Sequence, residues 1–241
     1  MTAVALEPGT VEVWRGSLDA EAHVRQRLEA MLSDDEQERA GRFRFERDRA
    51  RFVVGRGLLR ALLGRYVGVA GSQLRFAYGA QQKPVLVDDG PHFNLAHSGG
   101  TALFAFSGTT ELGIDVELLQ PEFAHGPLAE RFFSPREVET LRALPEDDQP
   151  QAFFACWTRK EAILKARGDG LTQPLDSFDV TLTPGEPAAL LRMAWSLEDP
   201  SRWQLVDLSD FDRGEVAALA APATGWRCTF QEIDLTTLVY N

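Results

Sequence analysis

Two stretches of this 241-residue chain carry acidic and basic side chains in arrangements that suit catalysis or metal binding. The first is a helix predicted over residues 153–165, whose apolar side chains recur at about 100° per residue. Glu161 and Lys165 lie four residues apart at the edge of that apolar stripe, so a carboxylate and an ammonium border a hydrophobic wall. The alternative is an exposed Glu-to-Lys pair worth about 0.2–0.5 kcal/mol, with the Lys160 head group in water.

The second stretch, residues 112–117, alternates between apolar and other side chains, which predicts a half-buried strand. Asp115 and Glu117 share one face of that strand and lie roughly 7 Å apart along it. With Glu161 they supply three carboxylates, an all-oxygen set suited to Mg²⁺ that also holds substrate phosphates. The alternative is a solvated polar face on an ordinary strand.

These two motifs resemble those of the 4'-phosphopantetheinyl transferases of the surfactin-synthetase-activating (Sfp-like) type. That family carries a Gly-Ile-Asp-x-Glu strand and, further along, a Trp-(Ser/Thr)-x-Lys-Glu-Ala-x-x-Lys helix, matched here by residues 113–117 and 157–165. A third match is Phe-Asn-Leu-Ala-His-Ser-Gly at residues 93–99. The likeness extends from about residue 33 to about residue 180.

The resemblance implies an α+β fold of two similar α/β halves with pseudo-twofold symmetry, each an antiparallel sheet packed against helices. The halves would be residues 1–110, with the basic helices and the His97 loop, and residues 111–241, with the metal-binding strand and the central helix. Strand-like patterns occur in both halves, and residues 226–233 are expected in the second antiparallel set.

The activity implied is Mg²⁺-dependent transfer of 4'-phosphopantetheine from coenzyme A to a serine of an apo acyl or peptidyl carrier protein, releasing 3',5'-ADP. Asp115, Glu117 and Glu161 would hold the magnesium. Glu161, directly or through a metal-bound water, is the candidate base, and Lys165 would stabilise or protonate the departing phosphate.

Residues 39–65 contain nine arginines and only two carboxylates, which indicates an anionic partner or a solvated basic face. In the family the corresponding helices bind the 3'-phosphate of coenzyme A, and the matching positions are Arg39 and Arg51. A further position that is often basic in the family is Glu36 here. The Gly55-Arg56-Gly57 segment lacks the third glycine of a dinucleotide loop and indicates close helix packing instead.

The remaining coenzyme contacts are also implied by the resemblance. Lys83 and Pro84 match a Gly-Lys-Pro element near the coenzyme, although Gln82 replaces the glycine. His97 and Ser98 end a predicted strand, and the turn that follows can direct the histidine ring and adjacent N–H groups at a phosphate.

Composition restricts the other classes of function. A net charge of −11 argues against a general nucleic-acid binder. No apolar run approaches the ~18 residues of a membrane span, and the N-terminus lacks a signal-peptide pattern. We therefore expect a cytoplasmic protein without membrane contact. We also expect a monomer.

Two alternatives remain open. A metal-dependent phosphohydrolase would use the same carboxylates without a protein partner, but the chain has no Ser-His-Asp or phosphate-loop pattern. A non-catalytic carrier-protein-binding module would keep its affinity for the carrier after loss of Glu161 and Lys165.

Overall fold

The computed structural model describes residues 3–79, 83–120, 125–168, 173–197 and 199–240. The described helices are α1 (Ala22–Glu29), α2 (Asp34–Gly41), α3 (Glu46–Val67), α4 (His125–Phe132), α5 (Pro135–Ala143), α6 (Gln149–Arg167) and α7 (Leu235–Tyr240). The strands are β1 (Thr10–Ser17), β2 (Phe76–Tyr78), β3 (Pro84–Leu86), β4 (His92–Ser98), β5 (Thr101–Ser107), β6 (Gly113–Leu118), β7 (Phe178–Val180), β8 (Leu190–Met193), β9 (Gln204–Asp207), β10 (Glu215–Ala221) and β11 (Arg227–Glu232).

The two long helices, α3 and α6, each end at a glycine. Gly68 and Gly168 have φ of 81° and 78°, the left-handed conformation that ends a helix without steric cost only when the residue has no Cβ. Gly57 in α3 has a different use, because a Cβ there would lie 2.6 Å from Leu28 Cβ in α1. The expected close helix packing at this segment is confirmed.

The strands form two main sheets. The first has the order β11-β1-β5-β4 and the second β6-β10-β9, with β2–β3 and β7–β8 as separate hairpins. The α+β fold class predicted from the sequence is confirmed. Residues 226–233 do not extend the second sheet, however, because β11 pairs in parallel with β1. That expectation was wrong because strand-like periodicity carries no information on the partner strand.

Alternation along the strands divides the buried residues into successive layers. On β5, Phe104 packs against the helices α1 and α3, while Ala105 faces the second sheet. On β10, Leu219 faces the first sheet and Ala218 packs against the core beneath α6. The order is therefore helices, first sheet, second sheet, helix. The division into residues 1–110 and 111–241 stays a prediction, and β11 belongs to the first sheet.

Strands β4 and β6 lie side by side where the two sheets meet. Asn94 Oδ1 accepts a hydrogen bond from Ile114 N at 2.9 Å, and Ser98 Oγ accepts one from Leu118 N at 3.2 Å. Polar side chains thus make the connection that a backbone ladder would make within one sheet. None of the described helices is long and apolar enough to cross a membrane.

Candidate active site

A cavity of about 920 Å³ is lined by residues of α3, β4, β6 and α6. Eight of the residues singled out in the sequence line it: Arg39, Arg51, Lys83, Pro84, His97, Asp115, Glu161 and Lys165. Ser98 and Glu117 lie beside it and are hydrogen-bonded to each other. Gln82 lies outside the described residues. The tertiary structure thus brings most of the candidate residues to one cavity, from both stretches of chain.

Gly113 allows β6 to lie directly against α6. A Cβ at Gly113 would stand 2.0 Å from Ala162 O and 2.4 Å from Ala166 N, closer than any side chain can approach a backbone. This close contact sets Lys165 of α6 opposite Asp115 of β6. The Gly-Ile-Asp pattern therefore has a steric reason that periodicity alone did not reveal.

The Lys165 ammonium pairs with Asp115. Lys165 Nζ lies 2.6 Å from Asp115 Oδ1 and donates to Ile114 O at 3.2 Å. Asp115 is only 6% exposed, so it is not part of a solvated strand face. Burial raises the pKa of its carboxyl to about 7, against the lowering effect of Lys165 and with added repulsion from Glu117 and Glu161.

Glu161 lies in the same electrostatic field. Burial raises the pKa of the Glu161 carboxyl, Lys165 opposes the rise, and Glu117 adds to it. Among the described residues, Glu161 makes no hydrogen bond or ion pair, so its carboxylate is available to a ligand. A half-buried carboxylate with a raised pKa suits a general base.

The carboxylates fit a magnesium ion in part. Asp115 Oδ2 is buried and has no hydrogen-bond partner among the described residues, so this oxygen could serve as a cation ligand. Asp115, Glu117 and Glu161 repel one another, and a cation would relieve that repulsion. The described His, Cys, Asp and Glu side chains nevertheless include no group of three at metal-binding distances. This arrangement fits an ion that completes its shell with substrate oxygens and water.

Lys83 and His97 also line the cavity. Lys83 Nζ donates to Lys165 O at 3.0 Å and lies 3.7 Å from Glu111 Oε2. Burial lowers the pKa of Lys83. Burial and the nearby Lys165 charge also lower the pKa of His97, and Glu117 opposes that lowering.

The arginine-rich wall is formed by α2 and the first turns of α3. Arg51 makes a two-pronged ion pair with Asp19, with N–O distances of 2.9 and 3.0 Å. The Arg39 guanidinium lies 5.3 Å from the centre of the Phe52 ring, beside the cavity. A phosphate that binds Arg51 must share or displace its carboxylate partner.

Glu36 does not face the cavity. Its side chain is 1% exposed, accepts a hydrogen bond from Ser33 N, and pairs with Arg60 Nε at 2.6 Å. It also lies 3.5 Å from Arg56 Nε. Glu36, at a position that is often basic in the family, thus forms buried ion pairs with Arg56 and Arg60.

Arg56 lines the cavity and was missed in the sequence. Its guanidinium lies within 6 Å of the centres of three rings, Phe52, Phe76 and Tyr78. Among the described residues, its Nη1 is buried without a hydrogen-bond partner, and burial lowers its pKa. The available signal was an arginine between two packing glycines on a buried helix face, where a charge requires a partner.

The alternative of a merely exposed Glu-to-Lys pair on α6 is excluded. Lys160 is fully buried, with Nζ 2.8 Å from Glu137 Oε2 and 2.7 Å from Leu175 O. Lys165 pairs with Asp115 on another element. In this helix, Lys160 therefore forms contacts in the protein interior, while Glu161 and Lys165 line the cavity.

Two family models match the chain in succession. The model of the 4'-phosphopantetheinyl transferase superfamily matches residues 111–222, and that of the N-terminal part of a 4'-phosphopantetheinyl transferase matches residues 19–108. Both stretches of the cavity wall lie within these matches.

Individual relatives agree with the family models. The 4'-phosphopantetheinyl transferase HetI of Nostoc sp. is 44% identical over 224 residues, 91% of each chain. A putative 4'-phosphopantetheinyl transferase of Synechocystis sp. is 37% identical, covering 73% of this chain and 72% of the relative. The 4'-phosphopantetheinyl transferase Sfp of Bacillus subtilis is 35% identical, covering 65% and 69%. This chain belongs to the 4'-phosphopantetheinyl transferase family, and the Sfp-like resemblance is confirmed.

Proposed function

We propose that this enzyme transfers 4'-phosphopantetheine from coenzyme A to a serine of an apo acyl or peptidyl carrier protein, with Mg²⁺ and release of 3',5'-ADP. The observation that carries the proposal is the single cavity that joins an arginine-rich wall to the Asp115, Glu161 and Lys165 group. Cations at one end suit the 3'-phosphate, and the carboxylate–lysine group suits the pyrophosphate.

In the proposed reaction, the serine Oγ attacks the phosphorus that carries the pantetheine arm. The bond to the bridging oxygen breaks, and 3',5'-ADP leaves with that electron pair. Glu161 accepts the hydroxyl proton, since its carboxylate has a raised pKa and no ion-pair partner among the described residues. Lys165, whose ammonium lies 2.6 Å from Asp115 Oδ1, would neutralise charge that develops on the departing phosphate.

Asp115, Glu117 and Glu161 would hold the magnesium ion. When bound, the ion would neutralise pyrophosphate charge during bond breaking. Arg39, Arg51, Lys83, Pro84 and His97 would orient the coenzyme, and Ser98 would contribute through the turn it begins.

Comparison of coenzyme A with 3'-dephospho-coenzyme A as substrates tests whether Arg39 and Arg51 bind the 3'-phosphate. We expect Arg39→Ala and Arg51→Ala to raise the KM for coenzyme A far more than the KM for 3'-dephospho-coenzyme A. Arg49→Ala is the control, because Arg49 lies on α3 with Arg51 but pairs with Glu29 at 2.7 Å and does not line the cavity. Equal effects on both substrates would assign Arg39 and Arg51 to another role.

One mass-spectrometric assay separates the three functions. A transferase adds phosphopantetheine to an apo carrier protein when coenzyme A and Mg²⁺ are present. A phosphohydrolase releases 3',5'-ADP without any carrier. A binding module adds nothing and keeps carrier affinity in a Glu161→Gln and Lys165→Ala double variant. Comparison of fatty-acid, polyketide and peptidyl carriers would identify the preferred substrate.

A further inference from the structure

The Ser98 hydroxyl donates its single proton to a hydrogen bond with Glu117. Ser98 Oγ accepts a hydrogen bond from Leu118 N at 3.2 Å and lies 2.9 Å from Glu117 Oε2. An ionised carboxylate can only accept a hydrogen bond, so the proton between these two groups comes from Ser98. The hydroxyl therefore has no proton left to donate to a coenzyme phosphate.

The backbone holds this hydroxyl in place. Asn94 and Ser98 lie on one face of β4, and each accepts from a β6 backbone N–H twenty positions further along the chain. The two strands are thus kept in a constant register. Gly99, with φ 55°, completes the close approach, because a Cβ there would lie 2.4 Å from Leu118 Cδ1.

Glu117 needs such a donor. Glu117 and Asp115 lie two residues apart on one face of β6, so their like charges repel each other. That repulsion favours rotation of the Glu117 side chain away from Asp115. A hydrogen bond from Ser98 fixes Oε2 and opposes that rotation. Among the described residues, the Glu117 hydrogen bonds engage this oxygen alone.

We propose that Ser98 is a positioning residue that orients Glu117 for the metal ion, and is not a hydroxyl contact to the coenzyme. The inference rests on the proposed function and assigns this side chain a different task from the one that the family resemblance implies. Partners of this kind typically change metal affinity by about 10–100-fold.

The test measures metal and coenzyme binding separately on the full chain. Free Mn²⁺ is followed by electron paramagnetic resonance during a titration with saturating coenzyme A. Coenzyme A binding without metal is measured by calorimetry. For Ser98→Ala we expect Mn²⁺ affinity to fall at least ~10-fold with little change in coenzyme affinity. Ser98→Thr, which keeps the hydroxyl, should bind Mn²⁺ nearly as the parent does.

Two controls isolate the bond to Glu117. Asn94→Ala removes the equivalent acceptor for a β6 N–H but no donor to a carboxylate, so it should lower the melting temperature without weakening Mn²⁺ binding. In a Glu117→Gln background, Ser98→Ala should cause no further loss of Mn²⁺ affinity, because the group through which it acts has already lost its charge.

The proposal is overturned if Ser98→Ala leaves Mn²⁺ affinity unchanged, or if Asn94→Ala weakens it equally. It is also overturned if Ser98→Ala weakens coenzyme A binding and this loss persists in the Glu117→Gln background, since the hydroxyl then contacts the coenzyme. Failure of the parent protein to bind coenzyme A or Mn²⁺ would instead contradict the proposed function.

Discussion

Lys165 bonds Asp115, although Glu161 lies one turn away on its own helix. The Lys165 Nζ to Asp115 Oδ1 distance is 2.6 Å, and Glu161 forms no ion pair among the described residues. Lys165 and Glu161 therefore do not form an ion pair with each other. In the proposed reaction, Lys165 would neutralise charge on the departing phosphate and Glu161 would accept the proton.

Substitution of these two residues tests the assignment. Glu161→Gln keeps size and polarity but cannot accept the serine proton, so kcat should fall by ~10²–10⁴-fold. Lys165→Ala should lower kcat with a smaller change in KM, because the charge it neutralises develops in the transition state. Steady-state transfer at saturating coenzyme A and Mg²⁺ gives both constants. If both variants melt like the parent and keep most of kcat, α6 is only a scaffold.

Asp115 should make the metal-free protein less stable as pH rises. Its pKa is raised from 3.8 to about 7, so the folded protein favours the protonated form. The resulting loss of stability begins above the unfolded pKa and is complete above pH of about 7. Asp115→Asn should therefore abolish transfer and yet raise the melting temperature at pH 8. The gain should shrink at pH 5.

Thermal melts in chelator at both pH values measure this effect. A variant that melts below the parent at pH 8 would contradict it. That result would mean that the ion pair with Lys165 stabilises the folded protein more than burial of the Asp115 carboxylate destabilises it, since both effects act on this carboxylate.

At the scale of elements, the contact between β6 and α6 decides the geometry of the site. A Cβ atom at position 113 would lie 2.0 Å from Ala162 O, so any side chain at this position would displace α6 from β6. The helix carries Glu161 and Lys165, whereas the strand carries Asp115 and Glu117. A shift between the two elements therefore separates Asp115 and Glu117 from Glu161 and Lys165.

Gly113→Ala should reduce kcat far more than coenzyme binding. A displacement near 1 Å can cost ~10²-fold in rate, while overpacking typically costs about 1–3 kcal/mol of stability. Gly126→Ala in α4 is the control, since no heavy atom lies within 4 Å of its virtual Cβ. The measurements are transfer kinetics, calorimetry with coenzyme A and chemical denaturation. Unchanged kcat in Gly113→Ala would show that the contact does not position the site.

At the scale of the whole molecule, Arg15 of β1 connects the two sheets. It donates to Asp210 and Glu215 at 2.8 and 3.1 Å and also pairs with Glu232 of β11. Thr101 donates to the other Glu215 oxygen at 2.5 Å. One guanidinium thus joins the first sheet, its parallel edge strand and the second sheet.

Arg15→Leu should destabilise the whole chain. Glu215 is 5% exposed, and removal of one partner of a buried pair typically costs about 3–5 kcal/mol. Arg227→Ala should cost about 0–1 kcal/mol, because the side chains of its pair with Glu7 are both 71% exposed. Urea denaturation followed by fluorescence gives both values. Equal stability of the two variants would contradict a connecting role for Arg15.

The local elements and the candidate reactive residues could be predicted from the sequence. Alternation predicted β6, helical spacing predicted α6, and motif order predicted the family. These features follow from side-chain periodicity along a short stretch of chain, so they can be inferred without knowledge of distant contacts.

The contacts between side chains that are distant in sequence could be identified only in the three-dimensional structure. In that structure, Lys165 pairs with Asp115, and Glu36 forms a buried ion pair with Arg60. Ser98 donates a hydrogen bond to Glu117, and β11 pairs in parallel with β1. Arg56 also lies in the cavity wall. Each of these outcomes depends on contacts between residues far apart in the chain, and local periodicity does not encode which distant partner an exposed edge or a buried charge will find.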